Sequence, residues 1–221
     1  GGVCLQILKR RNINVSAHIL LIGDISDTPY DPMRGVAEVC GEFPCVSPEA
    51  AEHMKRSILA AAAEGDSLGA VIECAADGVP AGLGGPLFEG LEGRIASLVF
   101  AIPAVKGIEF GAGFEAARLR GSENNDPFVI RGGRVATASN NAGGILGGIS
   151  DGMPLIFRAA IKPTPSIAKA QRSVSLRDMT ERELKIGGRH DPCIAPRAVP
   201  VVEAAAAIAL LDALLEDEHE R

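Results

Sequence analysis

The chain has 221 residues, 47% of them hydrophobic and 23% charged, with a net charge of −6. This balance excludes a disordered tail and a general nucleic-acid coat, and the length allows a core without disulfide staples. No charge-free apolar run of about 18 residues is present, so no bilayer-spanning segment is expected.

Seven Phe, one Tyr and no Trp leave the core to Ala, Val, Ile and Leu. Five cysteines at irregular spacing (Cys4, Cys40, Cys45, Cys74 and Cys193) predict a reduced, cytoplasmic protein. The four histidines show no metal-ligand spacing, and no metal is expected. The chain opens GGVCLQILKRR, without Met, and reads as if entered inside a helix, as a piece of a longer protein would.

In chain order, residues 3–11 predict a basic-ended helix and 16–24 a strand. Pro29, Pro32 and Gly35 punctuate a loop reaching to about 47, where Ser47-Pro48 starts a helix that ends near Gly65. Residues 68–75 predict a strand, 78–90 a glycine-rich loop, 91–102 a helix and 105–110 a short strand. Residues 121–134 look like a polar surface excursion, 139–152 a second glycine-rich loop and 153–163 a strand. Residues 164–188 are mixed and polar, and a last helix runs from about Ala198 to Glu216. The long connections argue against a doubly wound domain and for one layered α+β domain.

Four segments carry candidate chemistry. GAGFEA at 111–116 has the glycine pattern of a dinucleotide fingerprint, but no acidic residue ends a second strand about twenty positions on. The loop at 139–152 combines paired glycines with Ser139, Asn140, Asn141, Ser150 and Asp151; such a backbone can converge on an anion or a flat ring, or simply pack strands closely. KPTPS at 162–166 sets the Lys162 ammonium beside the Thr164 and Ser166 hydroxyls in a stiff two-proline frame suited to a phosphate, or to an ordinary surface loop. In GGRHDPCIAPRAVP at 187–200, alternation puts Arg189 and Asp191 on one face; Arg189 would keep the carboxylate ionised, or the two would cap the following helix. Cys193 near His190 lacks a third residue to orient a thiol nucleophile.

GGRHDPCIAPRAVPVVEA closely resembles a C-terminal signature of the chorismate synthases. The stretches 65–96, 103–114, 118–126 (RLRGSENND), 139–155 and 162–174 resemble the same family in order, so nearly the whole chain is covered. The resemblance makes 111–116 part of the family pattern rather than a dinucleotide site. It implies a layered β-α-β sandwich, a homotetramer, and a lyase that converts 5-enolpyruvylshikimate 3-phosphate to chorismate and phosphate by 1,4-anti elimination. Reduced FMN would be the cofactor, reduced by NADPH or by an outside reductant. Implied flavin-binding positions are Pro103, Ala104, Gly147, Lys162, Pro163, Thr164, Pro165, Ser166 and Arg189. Asp191 matches the family's catalytic aspartate, Arg189 stands beside it, and Asn140 would face substrate. Gly85, Glu89 and Asn141 depart from the family's usual Glu, Asp and His.

The likeness begins after the family's N-terminal histidines and phosphate-binding arginines. The expectation is therefore a C-terminal portion, residues 1–221, of a single domain whose fold is incomplete. Two further readings remain open: a flavin-binding piece without lyase activity, and a structural oligomerisation module. Neither nucleic acid nor membrane is expected as a partner.

Overall fold

The computed structural model describes residues 1–36, 39, 42–188 and 190–220. Cys40 and Arg189 lie outside the described residues. Helix α1 (Gly2–Arg10) leads into β1 (Asn14–Ile22) and the two-residue β2 (Ile25–Ser26). After a long strap comes α2 (Pro48–Ala63), then β3 (Ala70–Asp77), α3 (Leu91–Phe100) and β4 (Val105–Phe110). A one-turn α4 (Gly121–Asn124) precedes three elements of the glycine-rich region: hairpin β5 (Phe128–Arg131)/β6 (Arg134–Thr137), the small hairpin β7 (Ile145–Leu146)/β8 (Ile149–Ser150), and β9 (Leu155–Ile161). Hairpin β10 (Gln171–Ser175)/β11 (Thr180–Leu184) and the 26-residue α5 (Ala195–Glu220) complete the order.

Five strands form one antiparallel sheet in the order β2-β1-β3-β9-β4. Alternation along the strands assigns the two faces. Ala17, Cys74, Phe157 and Phe110 are register partners on one face, as are Ile19, Ile72, Ala159 and Ile108. This face packs on α1, α3 and α5 as the main core. The helix layer accounts for the composition: Val202, Ala206, Ala207, Ala209 and Leu210 of α5 are all nearly or fully buried. By length and composition the stretch Ala195–His219 could cross a membrane, but it packs as a core helix with 61% of its apolar window buried.

The opposite face carries a row of charge. His18, Glu73, Arg158 and Glu109 are successive register partners across β1, β3, β9 and β4. Glu73 and His18 are fully buried. Glu73 Oε1 accepts from Arg158 Nε at 2.9 Å, and its Oε2 accepts from the Tyr30 backbone N–H at 2.6 Å and lies 3.1 Å from His18 Nε2. His18 Nδ1 lies 3.2 Å from Asp27 Oδ2; only a doubly protonated ring donates to both carboxylates at once. Arg158 Nη1 reaches Glu109 Oε1 at 3.4 Å and donates to the Gly111 carbonyl at 3.0 Å.

The segment after β2 straps over this row. Tyr30 is buried with its ring 4.4 Å from that of His18, and Ala75 and Ile156 pack against it. Asp27 accepts the backbone N–H groups of Val46 and Ser47 at 2.6 and 2.9 Å, and Asp77 accepts that of Val36 at 2.8 Å. Ser47 then caps α2, accepting from Ala50 N–H at 3.3 Å, with Pro48 at the first helical position.

Two expectations need correction. In place of a β-α-β sandwich, the described residues form one five-stranded sheet with helices on one face and the strap on the other. Where an incomplete fold was expected, the described residues pair each strand of the sheet in order and seat the helix layer on it. The hairpins β5/β6 and β10/β11 fall in segments read as a polar excursion and mixed polar chain, because their residues are largely exposed on both sides and show little alternation. Helix α5 starts three residues earlier than expected, since Pro196 sits in its first turn, where a missing N–H costs no helical bond.

Glu73→Ala leaves Arg158 and His18 without their shared carboxylate, and a loss of about 3–5 kcal/mol in urea unfolding is expected. A loss under about 1 kcal/mol would contradict the role given to this row. Burial pushes the Glu203 carboxyl up, although its Oε2 accepts from Ala17 N–H at 3.2 Å. An acid whose folded pKa is raised binds more protons folded than unfolded, so it erodes stability as pH rises above its usual value of 4.5. Glu203→Gln should therefore be at least as stable as the unaltered chain at pH 7, the advantage vanishing in acid; thermal melts across that range test this.

Candidate functional site

Strand register brings three expected segments to one end of the sheet. Ala70 opens β3, Ile161 closes β9 and Val105 opens β4, and Ile161 is the register partner of both others. The chain beyond Ile161 is KPTPS, and the residues before Val105 are Pro103 and Ala104. A bond from Lys162 N–H to the Ala104 carbonyl (2.9 Å) ties the two segments. Ala104 has φ +74°, a left-handed conformation costly for a residue with a Cβ and held here by its neighbours.

The turn after α2 joins the third segment. Gly65 has φ +68°, and its carbonyl accepts Ala168 and Lys169 N–H at 2.9 and 3.2 Å. A Cβ at Gly65 would lie 3.0 Å from that of Ala168, so glycine is required for both conformation and approach. Ser67 Oγ donates to the Thr164 carbonyl at 2.7 Å, Lys169 pairs with Asp66 at 2.7 Å, and Leu68 N–H bonds the Pro192 carbonyl at 2.8 Å. The Lys169 ammonium holds the Asp66 carboxyl below its ordinary range. Residues 64–68 thus bridge the KPTPS loop and the Asp191 loop. Sequence reasoning missed their role, because GDSLG reads only as a helix stop.

Between them lies a hollow of about 270 Å³ lined by Gly65, Asp66, Ser67, Ala168, His190 and Asp191. An open cleft of about 630 Å³ continues past His190, Asp191, Pro192 and Arg197. Asp191 Oδ1 accepts from Cys193 N–H at 3.4 Å, and its Oδ2 bonds the Arg197 guanidinium. Arg189, the partner expected for Asp191, lies outside the described residues. Cys193 is buried, and burial pushes its thiol up, which argues against a nucleophile.

Three features suit an anionic phosphate. Lys162 is exposed, and no carboxylate among the described residues pairs with it. Thr164 Oγ1 is buried without a hydrogen-bond partner, and so is His190 Nε2. Unmet polar atoms of this kind mark where a ligand or water is accommodated.

Two expected residues lie elsewhere. Asn140 is 5% exposed and fully committed: its amide donates to the Pro32 and Pro154 carbonyls at 2.9 and 2.8 Å, and its Oδ1 accepts from Gly144 N–H at 2.8 Å. It clamps the strap to the glycine-rich loop rather than facing an open cleft. Gly147 is exposed in the β7/β8 turn, whose Gly148 packs on Gly85 and Gly90, and it lines neither the hollow nor the cleft. Asp126, read as part of a polar loop, organises this second region by accepting from Ser139 Oγ and the N–H groups of Asn141 and Ala142 at 2.6–2.8 Å. The segment 113–118 after β4 is a 3-10 helix, not the α-helix of a dinucleotide fold. No group of three metal-ligating side chains is present among the described residues.

The fold and site define an α+β protein with a loop cluster carrying Lys162, Thr164 and Asp191 at one sheet end. A model of the chorismate synthase family, described as "Chorismate synthase", matches residues 1–215. The chain belongs to that family. It is 59% identical over 218 residues to a chorismate synthase of Dehalococcoides mccartyi and 48% identical over 217 residues to one of Methanosarcina barkeri, each alignment covering 97% of this chain and 59% of the relative. A solved structure titled "Crystal Structure of Chorismate Synthase" superimposes with a TM-score of 0.77 at 32% identity, over 97% of this chain and 61% of that one.

These matches correct the expected incompleteness only within the chain: family likeness runs over residues 1–215, and the superposition takes in 97% of the chain. The chain spans about 59% of the length of the curated relatives it matches.

Replacing Asn140 by Ala removes three hydrogen bonds, at about 1 kcal/mol each. A urea-unfolding loss of about 2–4 kcal/mol is expected; unchanged stability with a weakened substrate KM would return Asn140 to the substrate side.

Proposed function

We propose that the protein is an FMN-dependent carbon–oxygen lyase that converts 5-enolpyruvylshikimate 3-phosphate to chorismate and phosphate by 1,4-anti elimination. The observation that carries this is that one turn, residues 64–68, ties the loop of Lys162 and Thr164, whose hydroxyl is unpartnered, to the loop of Asp191. Lys162, Thr164 and Ser166 would hold the flavin phosphate by charge and hydrogen bonds. Pro103, Ala104, Pro163 and Pro165 give the frame a fixed backbone, and Arg189 belongs to the same proposed set.

Reduced flavin, when bound, supplies electron density that helps the substrate phosphate depart and is restored as the ring proton leaves, so the overall reaction has no net redox change. The residues of this chain do the rest. Lys162 and its neighbours orient the cofactor, the bridging turn fixes the two loops relative to each other, and Asp191, as a carboxylate, takes up a proton at Oδ1 or Oδ2. Gly147 is left outside the set that a single chain converges. A homotetramer and a cytoplasmic setting follow from the family resemblance and form part of the same reading.

Anaerobic incubation of the chain with photoreduced FMN and 5-enolpyruvylshikimate 3-phosphate should yield chorismate and phosphate in equal amounts. Flavin binding without turnover would replace this reading by a flavin-binding protein, and binding of neither by a structural module. Lys162→Ala should weaken FMN about 10- to 100-fold while leaving riboflavin affinity nearly unchanged, because only FMN carries the phosphate. Equal loss for both flavins in a fluorescence titration would contradict the phosphate role.

A further inference from the structure

We propose that Arg197 is a positioning residue for Asp191, holding its carboxylate ionised and aimed from the first turn of α5. The inference rests on the reading of Asp191 as the proton-accepting carboxylate. Asp191 has two anchors, and both belong to the start of α5. Its Oδ2 bonds the Arg197 guanidinium, and its Oδ1 accepts Cys193 N–H at 3.4 Å. The platform carrying Arg197 is rigid: Cys193 is 5% exposed, Ala195 fully buried, and the Ile194 carbonyl accepts both Arg197 and Ala198 N–H at 3.0 Å. Arg197 is paired with no other carboxylate among the described residues. Residues 192–196 close a short loop that brings the largely exposed guanidinium to the carboxylate six positions earlier.

The surroundings of Asp191 give Arg197 weight. The groups facing it are His190 beside it, the α5 N-terminus below it, and Asp66 across the 270 Å³ hollow. Asp66 is already committed to Lys169, so that ammonium does not serve Asp191. The His190 Nε2 is unpartnered and makes no bond to Asp191. Among the described residues the fixed cation on the carboxylate is Arg197. The same pair as a mere helix cap would shift the ionisation of Asp191 without altering the pH dependence of turnover, and that difference is measurable.

The test uses the full chain labelled with 13C at aspartate carboxyls, the Asp191 signal assigned through Asp191→Asn. Arg197→Gln should move the Asp191 titration about one pH unit upward, and Arg197→Lys should restore most of it. Loss of the cation favours the protonated acid, so the acid limb of kcat/KM for chorismate formation should rise by the same amount. An Asp191 titration identical in the unaltered chain and Arg197→Gln overturns the proposal, with or without turnover. A titration that moves while the kcat/KM limb stays also overturns it and leaves a helix cap. An unaltered chain that binds FMN but forms no chorismate overturns the lyase reading instead, and the carboxyl titration still decides whether Arg197 sets Asp191. If Arg197→Gln fails to fold, Arg197→Met against Arg197→Lys makes the same comparison.

Discussion

The Glu73 carboxylate sits in the middle of the sheet with no solvent contact and three donors around it. It is shared by the neighbouring strands through His18 and Arg158 and by the strap through the Tyr30 N–H. An ionised group in such a place is tolerable only when every partner is in position, so it penalises any other alignment of the strands. A slip of one residue in β3 or β9 would turn the charged side chains into the apolar layer under the helices and bring Cys74 or Phe157 to the strap side. The hydrophobic alternation alone would resist that slip; the charge row makes it prohibitive.

Register is what the candidate site depends on. Ala70, Ile161 and Val105 end level with one another because the row through Glu73, Arg158 and Glu109 sets the strands three or four residues further along. The loops that leave these ends are short and cross-tied by backbone bonds, from Lys162 to Ala104, from Ala168 to Gly65 and from Leu68 to Pro192. The loop proposed to take a phosphate and the loop of Asp191 are thereby tied through their backbones, which favours preorganised binding. At the far end of β9 the Asp126 and Asn140 clamps perform the same service for the glycine-rich loop. There the close approach of Gly111, whose Cβ would lie 2.1 Å from the Asn141 carbonyl, admits no larger residue.

Much of the scaffold was legible in the sequence because its signals are local. Ser47-Pro48 and Gly65 bracket α2 as capping chemistry requires, and the apolar strands around 16–24, 68–75 and 153–163 stand out against polar connections. The charge row was not legible: one Glu in LGAVIECA and one Arg in LIFRAAI look like isolated interruptions until register pairs them. Asn140 illustrates the opposite difficulty. The family resemblance put it on the substrate side, whereas backbone partners at Pro32, Gly144 and Pro154 make it a clamp. The partner of Asp191 was sought at Arg189, two residues earlier and outside the described residues; a turn of the chain also brings Arg197, six residues on, to the carboxylate. The composition of KPTPS suited a phosphate or an ordinary surface loop. The turn at 64–68 that supports it is visible only in three dimensions.

Backbone hydrogen exchange with and without FMN tests the central claim that the flavin is held at one sheet end. The account predicts slowed exchange at residues 64–69, 104–106, 162–169 and 190–193, with the strap and residues 139–148 unchanged. Protection confined to the 139–148 loop, with none around Lys162 and Asp191, would contradict it.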